Sequence, residues 1–441
     1  MMNGGGSVSE RVGRGAWLML VILIFLYMLN AFDRTVLSLM VGHVKADMHV
    51  TDGQIGLMLG LAFALFYGVF GIPIGMLVDR FSRRLILCCG VALWSAATIA
   101  CGFATTFPLL LAARMALGIG EAALMPAAHV LMAETFPKAR LSTAMSIYYL
   151  GGVFGNSLSV ALGGAMIAHY GQFDFINLDP FGQVRGWQMP FVLVGALGVV
   201  SAGLVYVFRE PDRRIDENAA GAERVSLWAV VRRRKGVLLC VLGTVVLYAL
   251  VLYSTVLWTP TYMARAFGWN SQRIGASYSV VHLLGTGIGT VAAGFIVDRL
   301  FSRGVRDAHL RVFLLCVLIG GACGVAAFQT ADPYVFLVLL GFLHLFGFAF
   351  SGYAAALVQA ISPHAVRGRM AAMYVLASII IGSGLGPWII GLLTQHVFGE
   401  ARLGSAIALV IGVASVIAVA SAAAGLRYMR EAVALTDSET E

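Results

Sequence analysis

A short charged string occurs twice in this chain, and its recurrence restricts the fold more than any other feature. Gly75-Met76-Leu77-Val78-Asp79-Arg80-Phe81-Ser82-Arg83-Arg84 returns as Gly294-Phe295-Ile296-Val297-Asp298-Arg299-Leu300-Phe301-Ser302-Arg303. Each copy sits where one long apolar segment ends and the next begins. An interhelical turn has therefore been duplicated together with its surroundings, so the chain consists of two related halves.

Composition places those halves in a bilayer. With 59% hydrophobic residues, 12% charged residues and a mean hydropathy of +0.87 over 441 residues, the chain has more apolar surface than a water-soluble core could bury. A spanning helix needs roughly 20 mostly apolar residues. Twelve such stretches can be read at 17–41, 53–78, 84–104, 107–134, 141–169, 189–208, 236–264, 272–297, 309–329, 333–361, 368–396 and 403–429. The first lacks a small-residue cleavage site and is too long for a signal-peptide core, so it is expected to be retained. The expected fold is an all-α polytopic membrane protein of twelve transmembrane helices in two pseudo-symmetric six-helix bundles. Residues 1–208 form the first bundle, 209–235 a charged linker and 236–441 the second bundle.

The cations predict an orientation. Alternating the loops puts Arg11, Arg14, Arg80, Arg83, Arg84, Lys138, Arg140, the 209–235 run, Arg299, Arg303, Arg367 and Arg427 on one side. Lys45, Arg185, Arg265, Arg273 and Arg402 fall on the other. The positive-inside rule then places both termini in the cytoplasm, and the expected location is a bacterial inner membrane. The net charge of +8 is accounted for by topology, so the Arg232 to Lys235 run points to anionic lipid headgroups and not to nucleic acid. Cys88, Cys89, Cys101, Cys240, Cys316 and Cys323 all lie in apolar segments, a pattern that suits neither a disulfide framework nor a zinc site. Neither a metal nor a cofactor is expected, and the chain is expected to act as a monomer.

A duplicated six-helix unit with a Gly-x-x-x-Asp-Arg turn after the second helix of each half resembles the major facilitator superfamily. Further support comes from Arg114-x-x-x-Gly118-x-x-x-Ala122 in helix 4 and from Pro137-x-x-Arg140 and Pro363-x-x-x-Arg367 at corresponding turns. Helix 5 departs from the antiporter-type pattern, because Gly155 is followed by Asn156 where a proline is expected; a Gly386-Pro387 pair appears in helix 11 instead. The resemblance implies alternating access, with substrate held between two parallel repeats near the midplane. It also implies that Gly75, Asp79, Arg80, Arg83 and Arg84 form a conformational latch between the halves, with Asp298 and Arg299 as the weaker second copy. A merely solvated basic turn would explain the arginines but not Asp79.

Charges inside spans are expensive and are usually functional. Asp33, Arg34, Arg114 and Glu121 are the clear cases, and all belong to the first half. Arg114 and Glu121 return to one helical face about 10 Å apart along the axis, and the depths of Asp33 and Arg34 lie between them. The four are expected to meet between helices 1 and 4. Glu121 and then Asp33 are the candidate proton-coupling acids, and Arg34 or Arg114 the counter-ion or substrate-anion ligand. A permanent ion-pair clamp between the helices is the alternative.

The second half offers Tyr253, Ser254, Trp258, His282, His344, Gln359 and Tyr374 as candidate cavity residues. The glycine run Gly285-x-Gly287-x-Gly289 lies within an apolar helix with no preceding strand, so it speaks for close helix packing and not for a nucleotide loop. His129 reads as a packing residue. One-sided charge suits an amphipathic substrate with a polar or anionic head and an alkyl tail. Asn30-Ala31-Phe32-Asp33-Arg34, Gly118-Ile119-Gly120-Glu121-Ala122 and Phe136-Pro137-x-x-Arg140 together resemble the spinster-like branch, which is associated with lysophospholipids and sphingoid lipids, some with proton coupling. Sugar-acid and organic-anion symporters of the superfamily share the Asp-Arg and Gly-Glu-Ala signals, and remain the alternative. No nucleophile–base pair, His-x-x-x-His or paired-carboxylate set points to an enzyme.

Overall fold

The computed structural model describes residues 13–211, 232, 235–305, 307–347 and 367–438. Eleven of the described helices are long and apolar enough to cross a bilayer, and Pro333–Gly347 is a shorter apolar helix. We label them in chain order: α1 Arg14–Leu39, α2 Asp52–Arg80, α3 Arg83–Gly102, α4 Phe107–Thr135, α5 Arg140–Tyr170, α6 Gly186–Tyr206, α7 Leu238–Phe267, α8 Ser271–Leu300, α9 Ala308–Ala327, α10 Pro333–Gly347, α11 Met373–Phe398 and α12 Glu400–Tyr428. The chain is an all-α polytopic membrane protein. Residues 348–361 of the expected tenth span, Gln359 among them, lie outside the described residues.

Packing repeats between the halves. In the first, α3 lies on α4 and α6, and α2 on α4; in the second, α9 lies on α10 and α12, and α8 on α10. The pairing of α1 with α5 is matched by that of α7 with α11. Two crossed contacts, α5 with α8 and α2 with α11, join one half to the other.

These joints need glycine because backbones meet in them. A Cβ on Gly56 of α2 would fall 2.5 Å from the Pro387 carbonyl oxygen of α11, and one on Gly275 of α8 would fall 2.8 Å from the Val160 carbonyl oxygen of α5. Close approach of this kind is how helices associate where lipid supplies no hydrophobic drive. The same helices part toward their other ends. No described residue lies within 4 Å of a Cβ built on Gly71, Gly75 or Gly294, and Ile72, Met76, Val291 and Phe295 are exposed. The molecule is thus closed at the end carrying Asp52 and Ser271 and splayed at the end carrying Arg80 and Arg299.

Local irregularities follow from sequence. Pro126 has no N–H to bond the fourth carbonyl back, and α4 breaks there into Phe107–Glu121 and Leu124–Thr135, leaving Glu121 on the last turn before the break. Facing π-helical turns, Leu57–Leu61 in α2 and Ser378–Leu385 in α11, line the α2–α11 joint. Segment 171–185 closes into a hairpin whose ladder pairs Ile176 with Val184 and Asn177 with Gln183. Arg185 is paired to Asp47 at 2.6 Å, and the Trp187 indole N–H donates to the same carboxylate, fixing the hairpin to the short helix Val41–Met48.

Candidate functional site

Helix α1 narrows to a 3-10 turn at Leu37–Leu39, so Asp33 and Arg34 occupy its last α-helical turn, opposite the break in α4. Arg34 Nε donates to Glu121 Oε2 at 2.5 Å; the Glu121 side chain is fully buried, whereas that of Arg34 keeps 29% of its exposure. The guanidinium lies 4.6 Å from the Phe63 ring centre and 4.9 Å from that of Tyr67, both on α2, so the cation is held on aromatic faces as well as by the carboxylate. Gly118, one turn before Glu121, lets α2 come this near: a Cβ there would meet the Phe63 carbonyl oxygen at 2.7 Å.

Arg114 does not form the same kind of pair. Its Nη1 donates to the backbone carbonyl of Asp33 at 3.2 Å, and its guanidinium stands 5.8 Å from the Phe63 ring centre. The Asp33 carboxyl is buried within electrostatic reach of Glu121 and Arg114. Asp33 Oδ1 and Glu121 Oε1 are both buried and accept no hydrogen bond from a described residue. All four charged residues found in the sequence therefore converge, with one direct ion pair among them.

Two neighbours escaped the sequence reading. Thr35 donates to Asn156 Oδ1 at 2.7 Å, and Ser159 donates to the Phe32 carbonyl at 2.9 Å, so α5 braces the stretch of α1 that carries Asp33 and Arg34. The visible signal was Asn156 itself, standing where the family pattern expects proline.

The second half contributes unevenly. Tyr253 is 39% exposed and lies within electrostatic reach of Arg34 and Tyr27; Tyr374 is half-buried and within reach of Tyr253 and Tyr149. Ser254 and Trp258 are buried, and the Trp258 indole N–H donates to the Pro387 carbonyl at 3.0 Å, which ties α7 to α11. His282 and His344 are buried together, with ring centres 5.0 Å apart. His129 contacts the Tyr149 hydroxyl at 3.0 Å.

At the splayed end, the turn residues are arranged otherwise than a joined latch requires. Asp79, Arg80, Asp298 and Arg299 are exposed, and among the described residues no ion pair joins them across the halves. The buried charged residue of the string is Arg83, paired to Glu134 of α4 and to Glu210, whose carboxylate also accepts from the Arg83 backbone N–H at 2.8 Å. Partial burial would push the Glu210 carboxyl up, but the Ser82 hydroxyl and these Arg83 contacts hold it below the ordinary range. Arg84 lies 4.9 Å from the Tyr206 ring centre and donates to the Tyr206 carbonyl at 3.0 Å. In this conformation Arg83 and Arg84 fasten the turn within the first half.

A third charged site, at the closed end, was not foreseen. Asp52, the first residue of α2, is fully buried and accepts from both terminal nitrogens of Arg265 on α7, at 2.7 and 2.8 Å, and from Lys45 at 2.5 Å. Glu400, at the start of α12, pairs with Lys45 at 2.5 Å and with Arg265 at 3.7 Å. Each half supplies one acid and one base.

A repeated helical bundle of apolar spans, closed at one end by cross-half contacts and carrying a buried acid–base centre between its helices, has the build of a membrane transporter and not of an enzyme. Residues 23–306 match the profile of the Major Facilitator Superfamily. The chain belongs to that family. It is similar to an MFS-type efflux pump of Mycolicibacterium smegmatis, 26% identical over 433 residues and 96% of each chain. It is also similar to the D-galactonate transporter of Escherichia coli, 23% identical over 88% of this chain and 91% of the relative, and to Protein spinster of Drosophila melanogaster, 24% identical over 88% and 63%. Among solved structures, a bacterial homolog of the human lysosomal transporter spinster, inward-facing and unoccupied, superposes with a TM-score of 0.77 at 23% identity, covering 95% of this chain and 97% of that one. A D-xylose–proton symporter superposes with a TM-score of 0.69 at 17% identity, covering 91% and 97%.

Proposed function

We propose that the protein is a proton-coupled secondary transporter working by alternating access, and that its substrate is an amphipathic lipid such as a lysophospholipid or sphingoid lipid. The observation that carries the coupling is the Arg34–Glu121 pair, in which the acid is fully enclosed and the base is partly open. A buried carboxylate keeps its charge only while a cation stays near. If a substrate's anionic head draws Arg34 away, Glu121 takes a proton, and charge balance in the cavity is preserved. Asp33 is the second acid of the relay, and Arg114 the cation that stays with it. The lipid reading is supported by the scarcity of charge inside the second half's spans and by similarity to proteins named spinster.

In this reading the splayed end faces the cytoplasm, together with both termini, in a bacterial inner membrane. The units that rock are 1–208 and 236–441, joined by 209–235. Asp79 and Arg80, with Asp298 and Arg299, latch the halves only when that end closes.

A specific observation favours a second reading. Tyr27, Tyr67 and Tyr253 gather about Arg34, with Tyr149 beside Tyr27, and their hydroxyls suit a hydroxylated acid better than an alkyl chain. The galactonate and hexuronate transporters among the relatives agree with that reading. Ligand-induced thermal stabilisation of the purified protein at two pH values decides between them. Stabilisation by lysophospholipids or sphingoid lipids, altered in Glu121→Gln, is the expected result; stabilisation by hexonates alone would replace the lipid with a sugar acid. Unchanged pH-driven uptake in Glu121→Gln would remove Glu121 from coupling.

A further inference from the structure

We propose that the hairpin 171–185 between α5 and α6 is a membrane-surface foot. Phe173, Phe175 and Phe181 lie in the lipid headgroup layer of the leaflet at the closed end, and through Asp47 the foot steadies the charged clamp of Lys45, Asp52, Arg265 and Glu400. This contact does not depend on which substrate is carried or on which acid couples transport.

Three phenylalanines in one short connection are left open to the outside: Phe181 is 77% exposed, Phe175 59% and Phe173 47%. A cluster of this kind marks a surface that something other than water covers. Backbone bonds at both ends of the hairpin hold the rings outward. The Leu178 N–H donates to the Gly182 carbonyl at 2.8 Å, closing the tip around Phe181, and the Gly186 N–H donates to the Phe173 carbonyl at 3.2 Å, closing the base. The Arg185 guanidinium lies 5.4 Å from the Phe175 ring centre.

The bilayer is the occupant that the surroundings select. The hairpin runs directly into a span at each end, α5 through Tyr170 and α6 from Gly186, so lipid lies at its base. Two such tethers keep the hairpin at a high effective concentration beside the membrane surface. Along α6 the exposed Leu193, Leu197 and Val200 extend the apolar surface away from the hairpin. The second half marks the interface at the same end. There Arg273, in the first turn of α8, lies 4.1 Å from the Trp269 ring centre and donates at 3.4 Å to the hydroxyl of Tyr334, which is exposed at the start of α10. Aromatic residues with a polar edge collect where spans meet water. Asp174, Asn177, Asp179 and Gln183 stand exposed among the phenylalanines, so the hairpin is too polar for hydrocarbon. A mixed surface of this sort settles with its apolar groups about 5–10 Å into the headgroup boundary.

The short helix Val41–Met48 carries the connection inward. Its Asp47 takes Arg185 at 2.6 Å and the Trp187 indole N–H at 3.2 Å, both at the foot of the hairpin. Lys45, two residues earlier, reaches Asp52 and Glu400, each at 2.5 Å. One helix therefore has the hairpin on one side chain and the cross-half clamp on another. A foot set in the headgroups fixes the height of the first half's side of the clamp, against which the second half moves.

Fluorescence quenching of the full-length protein in phosphatidylcholine nanodiscs tests the contact. A bimane is attached to Phe181→Cys, and the signal of the identically treated unsubstituted protein is subtracted. The expected result is quenching by a headgroup nitroxide lipid at least about twofold above that in unlabelled lipid, with iodide quenching at least about twofold below that of the free dye. Absence of lipid quenching would overturn the proposal: strong iodide quenching would then put the tip in water, and shielding from iodide would put it under protein. Adding Phe173→Ser and Phe175→Ser should weaken the lipid quenching. Unchanged quenching in that variant would mean that the dye, and not the phenylalanines, finds lipid, and would overturn the proposal too. The link to the clamp is read from thiol labelling of Thr261→Cys, which is buried where α7 meets Ser38 of α1. Replacing the three phenylalanines by serine, or Asp47→Asn alone, should speed labelling at least about twofold, and combining them should add little, because residues acting along one path are not additive. Unchanged labelling, or fully additive effects, would overturn the link.

Discussion

Glu121 and Asp52 are both fully buried carboxylates paired to an arginine, yet they are built to opposite ends. Glu121 holds one bond to Arg34 and leaves Oε1 without a hydrogen bond among the described residues. Asp52 has both oxygens taken by the fork of Arg265, with Lys45 added on Oδ1. The first carboxylate shares its cation with a partly open space; the second is clamped by two bases. A buried ion pair does little for stability by itself, so what differs is the change each acid permits. In the coupling proposed above, Glu121 changes protonation while its helices stay packed. Asp52 can be released only by separating α2 from α7, that is, one half from the other.

Four substitutions, from the largest expected effect to the smallest, would break or sharpen that contrast. Glu121→Gln should drop pH-gradient-driven uptake to the level of protein-free liposomes while leaving counterflow exchange and the thermal midpoint close to the unsubstituted values. If driven uptake survives, the two carboxylates do not differ in the way argued. Asp52→Asn leaves Lys45 and Arg265 with Glu400 as the one acid between them, and removal of one partner from a buried pair costs about 3 kcal/mol. The closed end should loosen, seen as a lower thermal midpoint and easier labelling of an introduced Thr261→Cys thiol, which is buried where α7 meets Ser38 of α1, with proton coupling retained. Arg265→Lys keeps the charge but loses the two-pronged geometry, for which about 1 kcal/mol is a fair scale; a midpoint equal to that of the unsubstituted protein would show that the fork does not matter. Glu400, whose side chain is 60% exposed, should matter least. Glu400→Gln is expected to cost at most about 0.5 kcal/mol, and the cost should shrink in high salt.

The fold was legible because hydropathy and lipid leave a chain few choices. Span limits read from sequence differ from the observed ones by a few residues, as at α7, which runs on to Phe267 through Pro260. The convergence of Asp33, Arg34, Arg114 and Glu121 was legible too, since a charge inside an apolar run stands out. What sequence did not reveal was which charges touch. Arg114 meets the Asp33 backbone, not its carboxylate, and only the break caused by Pro126 sets Glu121 against Arg34. The closed-end network stayed hidden because Lys45, Asp52, Arg265 and Glu400 each resemble an ordinary solvating charge beside a span, and nothing local says they meet. Conversely, the Asp79 and Arg80 string was conspicuous, but its visible chemistry in this conformation belongs to Arg83 and Arg84, whose partners Glu134, Glu210 and Tyr206 lie far along the chain.

The glycines of the two cross-half joints have an electrical consequence. At Gly56 and Gly275 backbone rests on backbone with no room even for a methyl group, so no single file of water can thread between the halves at those points. Under the proton coupling proposed above, the gradient must not be short-circuited between the halves. Side-chain gates can flicker, whereas touching backbones form a dielectric plug that fails only when whole helices move. The smallest residue in the chain thus serves as its insulation.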